Sequence, residues 1–342
     1  MRRKLICCVC ALCLLLTGCT VSSKPEQKRY TATFLTLFDT VTSIVGFAES
    51  EEAFRQTSQT IHDELLVYHQ LFDIYNDYEG VVNLKTVNAQ AALAPVKVDQ
   101  KIMDLLVDCK KAYEVTGGKV NVALGSVLLL WHNARNDGFN DPANAYLPDF
   151  EKLTEAAAHV SMENVILDLE NSTVYFADPK LRLDVGAIAK GWSVQKVCEN
   201  APSGLLISVG GNVFATGPKD ENGAAWGVGV QDPNGADSYL HVLSVTNGAV
   251  VTSGDYQRAY IVDGELYHHI IDPDTLYPSR YWRSVTIVCQ DSGIGDILST
   301  ALFVLPQEEG QALLDVYDAC AMWVDASGEI YYSPGFESLI RT

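Results

Sequence analysis

Residues 181–217, LRLDVGAIAKGWSVQKVCENAPSGLLISVGGNVFATG, change hydrophobic period three times. Leu181, Leu183 and Val185 alternate as a strand does, Ala187 to Val197 has the spacing of a short helix, and Leu205 to Val209 is a second apolar strand. Asp184, Gly186 and Lys190 fall around the predicted helix start, where unpaired amides and the helix dipole favour an anionic group such as phosphate. A packed strand–helix unit whose glycines serve turns explains the segment alone equally well. Earlier in the chain, residues 31–47 are rich in β-branched and aromatic side chains and predict a strand or hairpin. Ser50 before Glu51 and Glu52 predicts a helix start, and Ile61, Leu65, Leu66 and Leu71 carry the helical spacing on to Phe72. Val98 to Val115 predicts another helix, stopped by Thr116-Gly117-Gly118. The apolar run Val127 to Trp131 reads as core, Asp149 to Ala158 as a helix, and residues 164–176 as two strands joined at Glu170 to Ser172. Short strands follow Gly217, including a hairpin turning at Asp263-Gly264. Asp296 is expected to open an apolar helix, with Thr300 on the same face one turn later, so that a carboxylate and a hydroxyl can reach one ion. A plain N-cap is the other role open to Asp296. Neither a repeat nor an internal boundary is visible, and the pattern predicts one interwoven α+β body.

The first nineteen residues, MRRKLICCVCALCLLLTGC, combine a basic start, an apolar run too short to span a bilayer, and Leu16-Thr17-Gly18-Cys19, which resembles a bacterial lipobox. This predicts a signal peptide over 1–18, a lipid on Cys19, a polar tether over 19–30 and the folded body over 31–342, at the extracytoplasmic face of a membrane. An ordinary cleaved signal would keep that location and lose the anchor. The formal charge of −19 argues against nucleic acid as a partner, because it leaves no excess of cations to replace counterions. Of the nine cysteines, only Cys109, Cys198, Cys289 and Cys320 lie beyond Cys19, widely spaced and without a zinc-binding pattern, so buried thiols are expected. The spacing leaves one disulfide open.

Two later stretches give the first a context: SGDYQRAYIVDGELYHHIIDPDTLYP, from Ser253 to Pro278, and GDILSTALFVLP, from Gly295 to Pro306. In this order and spacing, the three stretches resemble the ApbE family, flavin transferases that move FMN from FAD onto a protein threonine. The resemblance runs from about Thr33 to Ile330. It implies an α+β body with mixed or antiparallel sheets, packed helices and an FAD cleft between two lobes. It further implies Mg²⁺, or Mn²⁺, held by Asp296, Thr300 and the backbone oxygen of Ala187. Ser299 stands where some relatives have a second aspartate. FAD is implied at Asp184, Lys190, Tyr75, Lys119, Val120, Asn121 and Ile270, and at Phe38, where relatives carry methionine. His269 of HIIDPDT becomes the implied general base, its ordinary pKa being near neutral. His268 would face the other side of the strand, and Leu276 replaces a usual glycine. Partners would be FAD and an extracytoplasmic acceptor flavoprotein. A hydrolase splitting FAD into FMN and AMP, or a lipoprotein that only binds flavin, is the alternative.

Overall fold

A computed structural model describes residues 27–235 and 238–341. The signal segment, Cys19 and all but the end of the tether lie outside them.

One eight-stranded sheet organises the chain. Its spatial order is β1 (Lys28–Leu37), β2 (Thr40–Ala48), β6 (Leu205–Val209), β7 (Asn212–Ala215), β10 (Gly248–Gly254), β13 (Ser284–Cys289), β14 (Cys320–Val324) and β15 (Ile330–Tyr332), every neighbouring pair antiparallel. Three smaller antiparallel sheets surround it: β3 (Val96–Lys97), β5 (Thr173–Phe176) and β4 (Val165–Asp168); the hairpin β8 (Trp226–Gln231) and β9 (Tyr239–Val245); and the hairpin β11 (Ala259–Val262) and β12 (Glu265–His268). The helices are α1 (Glu51–Phe72), α2 (Leu84–Gln90), α3 (Gln100–Val115), α4 (Gly125–Asn140), α5 (Phe150–Ala157), α6 (Ala189–Cys198), α7 (Ser292–Phe303) and α8 (Gln307–Tyr317).

Strand periodicity decides the layers. On β10, Ala249 and Val251 point into the core shared with Leu65 of α1, Val194 of α6 and Leu298 of α7, whereas Val250 packs with Trp226 and Leu243 of the β8–β9 hairpin. Helices therefore cover one face of the long sheet and a hairpin the other. A second lobe joins α2, α3 and the three-stranded sheet around Leu84, Ile102, Leu106 and Phe176, reaching Trp192 of α6. A third cluster packs α4 and α5 against β11 and β12 through Trp131, Leu153 and Tyr260. Truncating a fully buried residue such as Leu65 to alanine costs about 2–5 kcal/mol.

Several elements match their sequence signals closely. The Ser50 hydroxyl accepts the Ala53 amide at 3.2 Å and caps α1, and α3 ends at Thr116. The β1–β2 turn places Phe38 and Asp39 at φ 52°, and the β11–β12 turn places Asp263 at 51° and Gly264 at 84°, the left-handed pair that a two-residue hairpin requires.

Two expectations are corrected, and a third is borne out and extended. Leu181 to Val185 is extended but belongs to no sheet: Asn88 takes the partner's place, accepting the Leu183 amide at 2.7 Å and donating to its carbonyl at 2.9 Å. Only an isolated bridge between Leu124 and Arg182 remains. The run Val127 to Trp131 is core, yet it is also the start of a 16-residue helix, α4, which has no side-chain N-cap to announce it. Finally, Asp296 does not open its helix. Asp291 caps α7 through the Ile294 amide at 3.0 Å, and Asp296 lies one turn inside, buried.

Candidate active site

A cavity of about 790 Å³ opens between the β1–β2 turn, the β6–β7 turn, the starts of α6 and α4, and the segment after β12. Its volume falls within the usual range for small-molecule sites. Phe38, Tyr75, Lys119, Val120, Asn121, Asp184, Ala187, Lys190, His269, Ile270, Asp296 and Thr300 all line it. The structure thus brings every residue of the implied site into one space, Cys19 alone lying outside the described residues.

The inner end is the seam between α6 and α7. Gly191 is its pivot: a Cβ there would lie 2.3 Å from the Ser292 carbonyl oxygen and 2.5 Å from the Asp296 Cβ. Without that side chain the helices close until the Gly191 amide donates to Asp296 Oδ2 at 2.8 Å. One amide of the first turn of α6 is therefore taken by the protein's own carboxylate. Lys190 Nζ stands 3.8 Å from Asp296 Oδ1 and donates to the Gly186 carbonyl at 3.4 Å. Asp184 Oδ1 accepts the Gly186 amide at 2.9 Å and shapes the turn.

Hard oxygen donors suit Mg²⁺ or Mn²⁺, and Asp296, Thr300 and Ala187, whose carboxylate, hydroxyl and backbone carbonyl are of that type, all line the cavity. Among the described residues no cluster of three His, Cys, Asp or Glu side chains forms a protein-only metal site. The donor set fits a cation whose remaining ligands are water and substrate phosphate. Ser299 is not among the lining residues: fully buried, it bonds to Ser253 Oγ at 2.9 Å and to the Asp296 carbonyl at 3.0 Å.

His268 and His269 divide as adjacent residues at a strand end should. The His268 ring is spent on structure, with Nε2 against the Ser279 carbonyl at 2.8 Å, Nδ1 accepting the Ile270 amide at 3.2 Å and an edge contact to Phe303. His269 has no hydrogen bond among the described residues, and its Nδ1 is buried without a partner. Burial, then the positive charges of Arg258 and, more weakly, His268, Arg135 and Lys190, hold its pKa well below the ordinary imidazole value. At neutral pH it is a neutral base.

The residues for which the resemblance implies flavin contact are held by their own contacts. The Phe38 amide donates to His69 Nδ1 at 3.2 Å, and the two rings meet edge to face. Tyr75 stacks on His132 at 4.9 Å, and burial, helped by Asp184, pushes its phenol up to about 12. Burial lowers the Lys119 ammonium, but Asp274 at 2.6 Å and Asp272 at 3.6 Å outweigh it and raise the pKa. The Asn121 side chain donates to the Val160 carbonyl and accepts the Ala123 amide, both at 2.9 Å. Val120 likewise gives its amide to Thr116 Oγ1 at 3.0 Å.

Sequence reasoning missed Asn212, His132, Arg135 and Arg258. Asn212 follows Gly210-Gly211 in the β6–β7 turn, is 1% exposed, and has an unpartnered Nδ2 beside Gly191. His132 and Arg135 went unseen because their helix did, although their (i, i+3) spacing on a recognised α4 would have put them on one face. Arg258, three residues after Asp255, was inside a recognised motif, but no sequence signal gave it a partner or a task.

Comparison with known proteins agrees with this geometry. The ApbE family model matches residues 38–323. A Treponema pallidum protein named FAD:protein FMN transferase is 37% identical over 75% of this chain and 75% of its own length. One from Klebsiella pneumoniae with the same name is 32% identical over 80% of this chain and 86% of its own. The crystal structure of the ApbE protein from Thermotoga maritima superposes with a TM-score of 0.80 at 29% identity, over 92% of this chain and all of that one. The flavin transferase ApbE from Vibrio cholerae shares the fold at a TM-score of 0.75 and 21% identity, over 92% of this chain and all of that one. By its family match, its close relatives and its fold, the chain belongs to the ApbE family.

Proposed function

We propose that this chain is an FAD:protein FMN transferase that joins FMN to a threonine hydroxyl, or a serine, of an acceptor flavoprotein by a phosphoester bond and releases AMP. The observation that carries the reading is His269, a neutral imidazole free of protein partners in the cavity that also holds Asp296, Thr300 and Lys190. The acceptor hydroxyl gives its proton to the His269 imidazole as its oxygen attacks the phosphorus of the FMN half. The phosphorus–oxygen bond to the adenylate breaks, and AMP leaves with that oxygen. Lys190 supplies positive charge beside the diphosphate, and Asp184 holds the turn that presents it. Asp296, Thr300 and the Ala187 carbonyl would hold Mg²⁺, which neutralises the charge building on the phosphates. Phe38, Tyr75, Ile270 and the backbone at 119–121 seat the flavin half.

The amino-terminal segment supports a second part of the proposal. Leu16-Thr17-Gly18-Cys19 fits a lipid on Cys19 and a body tethered at the extracytoplasmic face. Radiolabelled fatty acid incorporated by the wild type and lost in Cys19→Ala would support the anchor, and equal labelling would refute it. For the activity, the full chain in detergent is mixed with FAD, Mg²⁺ and a threonine-bearing redox domain. The reading requires AMP released in step with covalent FMN on the acceptor. AMP with free FMN and an unmodified acceptor would make the chain a hydrolase instead.

A further inference from the structure

Two guanidiniums on the cavity wall have no carboxylate within ion-pair distance among the described residues. Arg135 on α4 is half-buried and Arg258, just before β11, is exposed, and both line the cavity with His269. Neither forms an ion pair with a carboxylate among the described residues, and the one side-chain bond of Arg135 is from Nη2 to His132 Nδ1 at 3.0 Å. Burial and then the charge of Arg258 draw Arg135 below the ordinary guanidinium value, and the weaker opposing pull of Tyr75, Asp184 and Tyr260 does not restore it. The other cations of the site are answered: Lys119 by Asp274 and Asp272, and Lys190 by Asp296. Arg283, behind the wall, sits on Asp255 at 3.1 Å. Like charges left together inside a functional cavity mark a place where an anion arrives.

We propose that Arg135 and Arg258 form an anion subsite at the mouth of the cavity that takes an acidic side chain of the acceptor protein, close to the hydroxyl that receives FMN. The proposal rests on the transferase reading. FAD brings one anionic group, its diphosphate, and the buried Asp296–Thr300–Lys190 end already has the chemistry for it. The acceptor is a macromolecule that reaches His269 from solvent, where exposed Arg258 meets it first. Both arginines project positive potential onto His269, so an acid docked on them lies beside the base. A body of net charge −19 repels an acidic partner except at such a patch, which favours one docking orientation.

The test uses the full chain in detergent, loaded with FAD, and pairs of peptides holding one threonine. Each pair differs only in carrying aspartate or asparagine at one flanking position, scanned along the peptide. Binding is read by fluorescence anisotropy and transfer by intact mass. At the preferred position the wild type should bind the aspartate peptide about tenfold more tightly than its partner. Arg258→Gln and the double variant with Arg135→Gln should lose that preference while FAD affinity stays within about twofold of wild type. Equal affinity for both peptides at every position would overturn the proposal, as would a preference kept in the double variant. About tenfold weaker FAD binding in the variants would also overturn it, giving the arginines to the diphosphate. A binding preference without mass gain would contradict the transferase reading and leave the subsite standing. Mass gain without preference would do the reverse.

Discussion

At the α6–α7 seam, the Gly191 amide meets the Asp296 carboxylate, Asp291 caps α7, and Gln195 Oε1 accepts the Ser292 amide at 2.9 Å. On the α4 side of the same cavity, Tyr75 is 43% exposed, Arg258 is open to solvent, and two guanidiniums have no ion pair among the described residues. The first region is held close by contacts that leave no room for a methyl group, as groups positioned for chemistry require. The second keeps its charges unanswered, as a surface that receives a partner does. Variants in the seam should therefore remove the reaction, and those on the α4 side should weaken binding and leave the reaction intact.

The largest effect belongs to the proposed base, which faces both regions across the cavity. His269→Ala should lower transfer about 10²–10⁴-fold with FAD affinity retained, measured as single-turnover rate and as flavin fluorescence. Loss of FAD binding in that variant would make His269 a binding residue and blur the contrast. Next comes Gly191→Ala, which drives a methyl group into the Ser292 carbonyl and Asp296. It should cost about 1–3 kcal/mol in urea unfolding and reduce turnover at saturating FAD. Unchanged stability would show that the seam has slack. Smaller is Tyr75→Leu, which loses the stack on His132 and should weaken FAD by about 2–10-fold with little change in kcat.

The pH profile sharpens the contrast further. A depressed folded-state pKa keeps His269 neutral below the usual histidine value, so the acid limb of kcat/KM should lie below about 6.5. The sign for stability follows from the same shift. The unfolded chain takes up this proton more readily, so the contribution of His269 is fully present above that value and is lost as pH falls from there through the folded-state pKa. Arg258→Gln removes the largest of the neighbouring charges and should move the limb toward higher pH, read from initial rates across pH.

How much of this was legible in the sequence depends on the range of the forces involved. Ser50, Thr116-Gly117-Gly118 and Asp263-Gly264 act through bonds within a few residues, and each made the element its pattern predicted. Local pattern raised Asp184, Lys190, Asp296 and Thr300 as candidates with bland alternatives beside them, and the resemblance to a family gathered the rest. Nothing local links Asp296 to Gly191, 105 positions apart, because what joins them is a glycine that lets two helices touch. The start of α7 was obscured by Gly293 and Gly295, poor helix formers in its first turn. Leu183 lost its strand because a side chain, Asn88, made the bonds another strand would have made. Arg135 and Arg258 are informative through missing partners, an absence visible only once the chain is folded.

The most direct test of the account is the intact mass of an acceptor domain incubated with FAD and Mg²⁺ and with either wild type or His269→Ala. The account predicts an acceptor heavier by one FMN with the wild type, and an unmodified acceptor with a variant that still binds FAD. Equal modification by both, or free FMN and an unmodified acceptor with the wild type, would contradict it.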